Sequence, residues 1–408
     1  MSSGTRAAGD AGSAWGRRRF IGTLAALAAT GTTSTAAACT AAAVPDREPG
    51  APAASPRHRP RRARQLFLGT YTSQAGGGKG IGLATYDDAT GRITGTGTLT
   101  GVPDPSYLVP HPSGRTLYAV DEQEKGAVTA VALAADGEGP HKVLNTRATG
   151  GAGPCHLSVH PGGRWLLSAN YGSGSVSVHP VEPSGALGER TDLVTHSTPE
   201  PGPGQNGPHA HQIITAPDGR HVLAVDLGND TVYTYRLDLK AGRLSEVSHA
   251  RLRPGAGPRH LTFHPEGRFA YLADELDNTV VVCAYDPATG RLTPGDPQPT
   301  GTGGGTSYPA QILVTREGRF AFLANRGHNS ITRYAVEDGG ARLRLLDTVD
   351  VGGDFPRQLA FSPSGRLLFA ANQKSSSVSV FQVDGDTGEL RSAGEPFPSP
   401  IAVCALPL

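Results

Sequence analysis

The chain has 408 residues, of which 37% are hydrophobic, enough to build a packed core and to exclude a disordered protein. Gly (55) and Pro (33) are abundant but follow no collagen-like period, so the composition favours strands joined by many turns over long helices. The net charge of +1 divides unevenly: residues 1–64 carry ten Arg against three acids, and the remainder carries 27 basic against 33 acidic residues, an acidic body that excludes nucleic acid as a partner.

Residues 1–38 read as an export signal. The basic run Arg17-Arg18-Arg19 precedes Phe20-Ile21 and a weakly apolar stretch from Gly22 to Ala38, too weak for a spanning helix. The paired arginines resemble a twin-arginine signal, which exports a protein already folded. Ala36-Ala37-Ala38-Cys39 resembles a lipoprotein cleavage box with Cys39 as the lipidated residue, although Ala36 stands where Leu is usual. Secretion and membrane anchoring through Cys39 both remain open. Residues 39–64, rich in Ala, Pro and Arg, have no hydrophobic period and read as a disordered tether.

From residue 65 to 408 one pattern repeats. A Gly-Arg pair recurs at Gly114, Gly163, Gly219, Gly267, Gly318 and Gly365, at intervals of 49, 56, 48, 51 and 47 residues. Each pair precedes a β-rich run ending in Asp or Asn, as in Phe269 to Asp274 and Leu367 to Asn372, then a second strand and a closing turn such as Thr289-Gly290-Arg291. Four short strands per unit is the content of a propeller blade. The strands Leu66 to Tyr71 and Ile81 to Tyr86 lack an inner partner, and Ile401 to Leu406 matches the missing one. The expected fold is therefore all-β, a seven-bladed β-propeller closed by pairing the N-terminal strands with the C-terminal strand. Cys155, Cys283 and Cys404 lie far apart without CxxC spacing and read as small buried hydrophobes.

In each blade the inner strand starts and the next strand ends at the same face of the disc, because the two are antiparallel. That face gathers Ser106-Tyr107, Cys155-His156, His209-Ala210-His211, Arg259-His260, Ala310-Gln311 and Arg357-Gln358, opposite Asp121-Glu122, Asn170-Tyr171, Asp226, Asp274-Glu275, Asn325-Arg326 and Asn372-Gln373. The long connections Thr195 to Gly207 and Thr300 to Thr306 emerge there too. His111, His160 and His264 fall at the opposite face in turns, and the Asp or Asn ending each second strand reads as a turn cap. The positions that break the repeat, His211, Arg259, Glu275, Arg326 and Arg357, are the candidates for chemistry.

Gly207-Pro208-His209-Ala210-His211, Gly257-Pro258-Arg259-His260-Leu261, Asp274-Glu275-Leu276 and Ala324-Asn325-Arg326 resemble the motifs of the seven-bladed lactonase family, which includes bacterial 6-phosphogluconolactonases and fungal carboxymuconate lactonizing enzymes. The resemblance spans about residues 66–406 and departs at Asp274, where many relatives have Asn. It implies a lactonase with His211, Arg259 and Glu275 catalytic and Arg326 near the substrate. In that scheme Arg259 and His211 stabilise the oxyanion, Glu275 serves as general base, and Arg326 or Arg357 holds a substrate carboxylate or phosphate.

His156, His209, His260 and Gln311 complete the expected substrate-binding set. No cofactor or metal is expected, since the histidines lack i, i+4 spacing. The expected protein is a monomer acting on a small lactone. Export conflicts with a cytosolic phosphorylated intermediate, so a different lactone, or no catalysis, is expected. The alternatives are a surface binding module, the lactonizing direction, and a quinone-dependent dehydrogenase; the last is disfavoured because the chain has only Trp15 and Trp165.

Overall fold

The computed structural model describes residues 63–134, 139–197 and 202–408. The expected export signal, almost all of the tether and Cys39 lie outside these residues.

The described chain is all-β apart from one 3-10 turn at Asp338–Gly340, and its strands form seven antiparallel sheets of four or five strands. Blade 1 takes its inner strand from the C-terminus: Ala402–Pro407 pairs with Arg64–Thr70, followed outward by Gly80–Tyr86 and Ile93–Thr100. Closure therefore joins the two ends of the chain by backbone hydrogen bonds and covers the edge that an open ring would expose. The inner strands of blades 2 to 7 are Leu108–Pro110, Pro154–Val159, Ala210–Thr215, Pro258–Phe263, Tyr308–Val314 and Pro356–Phe361. Second strands such as Thr116–Asp121, Trp165–Asn170 and Leu367–Asn372 are buried along their whole length, packed by sheets on either side.

The recurring Gly-Arg pair has a backbone cause. Gly114, Gly163, Gly219, Gly267, Gly318 and Gly365 all sit at φ between 67° and 73°, a left-handed turn that any side chain strains. The histidines of these turns tie neighbouring blades together: His111 Nε2 lies 2.8 Å from the Gly163 carbonyl oxygen and His160 Nε2 3.1 Å from that of Gly219.

The Asn or Asp near the end of the second strand is explained in four blades. Asn170, Asn325 and Asn372 are buried and donate to Ser175, Ser330 and Ser377 five positions on, fastening the turn to the third strand. Asp274 occupies the same position and accepts from Thr279 Oγ1 at 3.3 Å.

One irregularity recurs at the channel end of the inner strands. In blade 5 Pro258 faces Asp274 and His260 faces Ala273, leaving Arg259 unpaired in a bulge. The same register shift leaves Cys155, His211 and Arg357 unpaired in blades 3, 4 and 7. A bulge re-aims the extra side chain away from the sheet face it would otherwise share. The residue after each bulge serves the ring instead. Gln212 Oε1 accepts from Leu261 N at 2.7 Å, Gln358 Oε1 from Ala405 N at 2.9 Å, and His156 Nδ1 from Ile213 N at 3.4 Å, each bond reaching the next blade.

Candidate active site

The loop before blade 5 sets the central pair. Asp230 accepts from Gly255 N at 2.7 Å and Gly257 N at 2.8 Å, holding the segment that leads into Arg259. Gly257 stands at φ 62°, and a Cβ there would lie 2.4 Å from the Leu276 side chain, so both its turn and its close approach require glycine. Its carbonyl then accepts from Glu275 N at 2.7 Å, which locks the Arg259 and Glu275 backbones together.

Glu275 is the hub. Arg326 Nη2 lies 2.6 Å and Arg259 Nε 2.9 Å from its Oε2, while no protein group among the described residues hydrogen-bonds its Oε1. The Arg259 contact is an ion pair without hydrogen-bond alignment, and Nη1 of the same guanidinium is buried with no partner. Arg326 is further held by the carbonyls of Tyr308 and Pro309 and stacks over the Phe355 ring at 5.3 Å. Across the opening, Arg357 lies 3.7 Å from Glu122 Oε1 and 5.8 Å from the Tyr71 ring centroid. The Glu122 Oε2 atom accepts from Tyr71 Oη at 2.9 Å and from Ser106 Oγ.

Tyr71, Glu122, Cys155, Tyr171, His211, Glu275, Arg326 and Arg357 line a cavity of about 210 Å3. That is smaller than the roughly 300–1,000 Å3 of sites for drug-sized ligands, so it suits one small molecule. A larger cleft of about 660 Å3 lies on the opposite face between blades 6 and 7. Its three arginines are exposed, with Arg319 paired to Asp386 and Arg366 to Asp88, and no buried, unpartnered polar atom among the described residues lines it, whereas His211 Nδ1 lines the smaller cavity.

Electrostatics follow from burial against three guanidinium groups. Burial pushes the Glu275 carboxyl up, but Arg326 and Arg259 together outweigh it and hold the carboxyl below its usual range. Burial, then repulsion from Arg326, brings Arg259 down to about 9, still protonated at neutral pH. Burial and the Arg259 charge depress His211 and His260 well below the ordinary imidazole value, and His156 to about 3, so all three are neutral. His211 Nδ1 is buried without a partner. Cys155, pushed up to about 12 chiefly by burial, is an inert thiol.

Five of the nine sequence-identified site residues therefore meet: His211, Glu275, Arg326 and Arg357 on the cavity wall, with Arg259 paired to Glu275 behind it. The other four do not line the cavity. His156 and His260 lie with Tyr107 in a buried chain of ring contacts, Tyr107 tilted against His156 at 4.3 Å and His156 edge-to-face with His260 at 5.4 Å, and His211 meets His260 edge-to-face at 5.2 Å. Gln311 is spent on the Leu359 backbone at 3.3 Å, an inter-blade tie like those of Gln212 and Gln358. His209 stacks on Tyr171 at 4.5 Å, with its ring nitrogens beside the Tyr171 carbonyl and Asn206 Oδ1. Sequence reasoning placed Glu122 on this face without choosing it as a site residue, and it left Tyr71 out. For Glu122 a signal existed, because Asp121-Glu122 stands in blade 2 where Asp274-Glu275 stands in blade 5.

Among the described residues no group of three or more His, Cys, Asp or Glu side chains is placed to hold a metal ion. The family model described as "Lactonase, 7-bladed beta-propeller" matches residues 65–407. The chain belongs to the seven-bladed β-propeller lactonase family. Within this family it is 33% identical over 297 residues to a 6-phosphogluconolactonase of Bacillus subtilis, covering 71% of this chain and 82% of that relative. Among solved structures it resembles the Pseudomonas aeruginosa periplasmic gluconolactonase, with 30% identity, a TM-score of 0.78 and coverage of 85% of this chain and 99% of the other. A Lactobacillus plantarum protein matches with 31% identity and a TM-score of 0.79, covering 85% and 100%. The lactonase-family propeller thus carries its buried arginines, glutamates and neutral histidine around one small opening.

Proposed function

We propose that the protein hydrolyses a sugar-type lactone to its open hydroxy acid at this cavity. The observation that carries the reading is a pair of buried polar atoms without a partner among the described residues, Arg259 Nη1 and His211 Nδ1, beside a carboxylate whose Oε1 accepts no hydrogen bond from those residues. Water attack on the lactone carbonyl places negative charge on oxygen, and Arg259 and neutral His211 stabilise it in a partly dry site. Glu275 takes the proton from the attacking water and returns it to the ring oxygen as that bond breaks.

The depressed pKa of Glu275 suits this role because its counter-charge is shared. As the oxyanion forms beside Arg259 it competes with Glu275 for the same cation, and the proton affinity of the carboxylate rises as the proton arrives. Arg326 and Arg357 orient the remaining oxygens of the substrate.

The basic run and weakly apolar stretch before residue 39 support export, with Cys39 as the site of anchoring if the chain is lipidated. The periplasmic gluconolactonase among its structural relatives accords with that location. A panel of lactones assayed for acid release with the purified protein and Arg259→Ala tests the reading. One or more sugar lactones should be opened, with the variant reduced about 10²–10³-fold. A wild-type protein inert on the whole panel, or a variant with unchanged turnover, refutes it.

A further inference from the structure

Arg326 and Arg357 line the cavity with Glu122, Glu275 and a neutral His211, and Arg259 sits behind the wall against Glu275, so the group as a whole carries one net positive charge. That surplus matches one developing oxyanion, or the single carboxylate of a hydroxy-acid product. It does not match a substrate that also brings a phosphate dianion. Glu122 decides the balance, because without it the whole group would carry two net positive charges and Arg357 would have no carboxylate facing it.

Geometry supplies a second observation. Both hydrogen bonds to Glu122, from Tyr71 Oη and Ser106 Oγ, fall on Oε2 and pin the carboxylate. Its Oε1 faces Arg357 at 3.7 Å, too long for a hydrogen bond, on the wall of the cavity. An acceptor oxygen and a guanidinium donor held a few ångströms apart, with neither satisfying the other, form a complementary pair for a hydroxyl group, which accepts and donates at once. A phosphate placed there would gain Arg357 but meet the Glu122 charge in a poorly hydrated pocket, where like charges repel far more than in water.

We propose that Glu122 is a specificity-determining residue that, with Arg357, binds a hydroxyl of an unphosphorylated polyhydroxy lactone and excludes the phosphorylated form. This rests on the lactone reading above. The test compares glucono-1,5-lactone with its 6-phosphate as substrates, and gluconate with 6-phosphogluconate as calorimetric ligands, for wild type and Glu122→Gln. Glutamine keeps the shape and an acceptor oxygen while removing the charge, and a melting curve confirms the fold.

Wild type should favour the unphosphorylated member of each pair. Glu122→Gln should shift both ratios toward the phosphorylated member by about tenfold or more, as expected for removing a unit charge several ångströms away at moderate dielectric. A variant that weakens both members equally, or leaves the ratios unmoved, overturns the proposal, as does a wild type that prefers the phosphate. Failure of the lactone reading is distinguishable, since it abolishes turnover of both substrates while calorimetry still reads the ligand preference.

Discussion

Replacing Glu275 by glutamine removes the only carboxylate among the described residues in contact with Arg259, whose side chain is 2% exposed, and also deprives Arg326 of its ion pair at 2.6 Å. Breaking a buried pair from one side costs about 3–5 kcal/mol, because the remaining charge is left without compensation. Here the carboxylate side chain is 18% exposed toward the cavity, and water can partly replace it, so the lower end, about 3 kcal/mol, is expected. At roughly 2 °C per kcal/mol for a body of this size, that corresponds to a melting temperature lower by about 6 °C.

The double variant Glu275→Gln with Arg259→Gln should recover much of this loss, since the orphaned cation is gone, giving a coupling of about 2 kcal/mol in a double-mutant cycle followed by denaturant unfolding. Activity should not recover, because the donor and the base are both absent. Additivity of the two single variants within about 0.5 kcal/mol would refute the argument that this pair organises the site.

The pH dependence of kcat/KM should show an acid limb below the ordinary glutamate range near about 4.3, because the net effect of the arginines is to hold Glu275 low, and no inflection near about 6.5, because His211 stays neutral. A rate that rises through pH 6–7 would contradict both assignments. Asp274→Asn should stabilise the protein at neutral pH by about 1–2 kcal/mol, since burial raises the native carboxyl well above its usual value, Oδ1 is unpartnered, and Asn fills the same position in blades 3, 6 and 7. The native Asp274 binds its proton more tightly than the unfolded chain, so wild-type stability falls as pH rises above about 3.9; the advantage of the variant should vanish in acid, and melting curves at pH 3.5 and 7 that differ by the same amount would refute it.

Much of the molecule was legible because a repeat leaves a local mark at every copy. The Gly-Arg turns announce themselves since only glycine sits comfortably at φ near 70°, and the missing inner strand of blade 1 could be matched to the C-terminus from its place in the pattern. Antiparallel pairing then put His211, Arg259, Glu275, Arg326 and Arg357 on one face without any coordinates. Gln311 and His156 sit in that same ring of positions but serve the adjacent blade, a difference that composition and spacing do not carry.

The sequence by itself determined the blade count, the closure and the chemical types available at the channel mouth, because these follow from short-range turn chemistry repeated along the chain. Tertiary structure alone decided which side chains enter the cavity. The bulges at Cys155, His211, Arg259 and Arg357 reset the alternation of strand faces by one residue, which no periodicity reveals in advance. The joining of Tyr71, Glu122 and Arg357 depends on ring closure, which sets blade 7 beside blades 1 and 2 and so brings Arg357 from the far end of the chain to the other two.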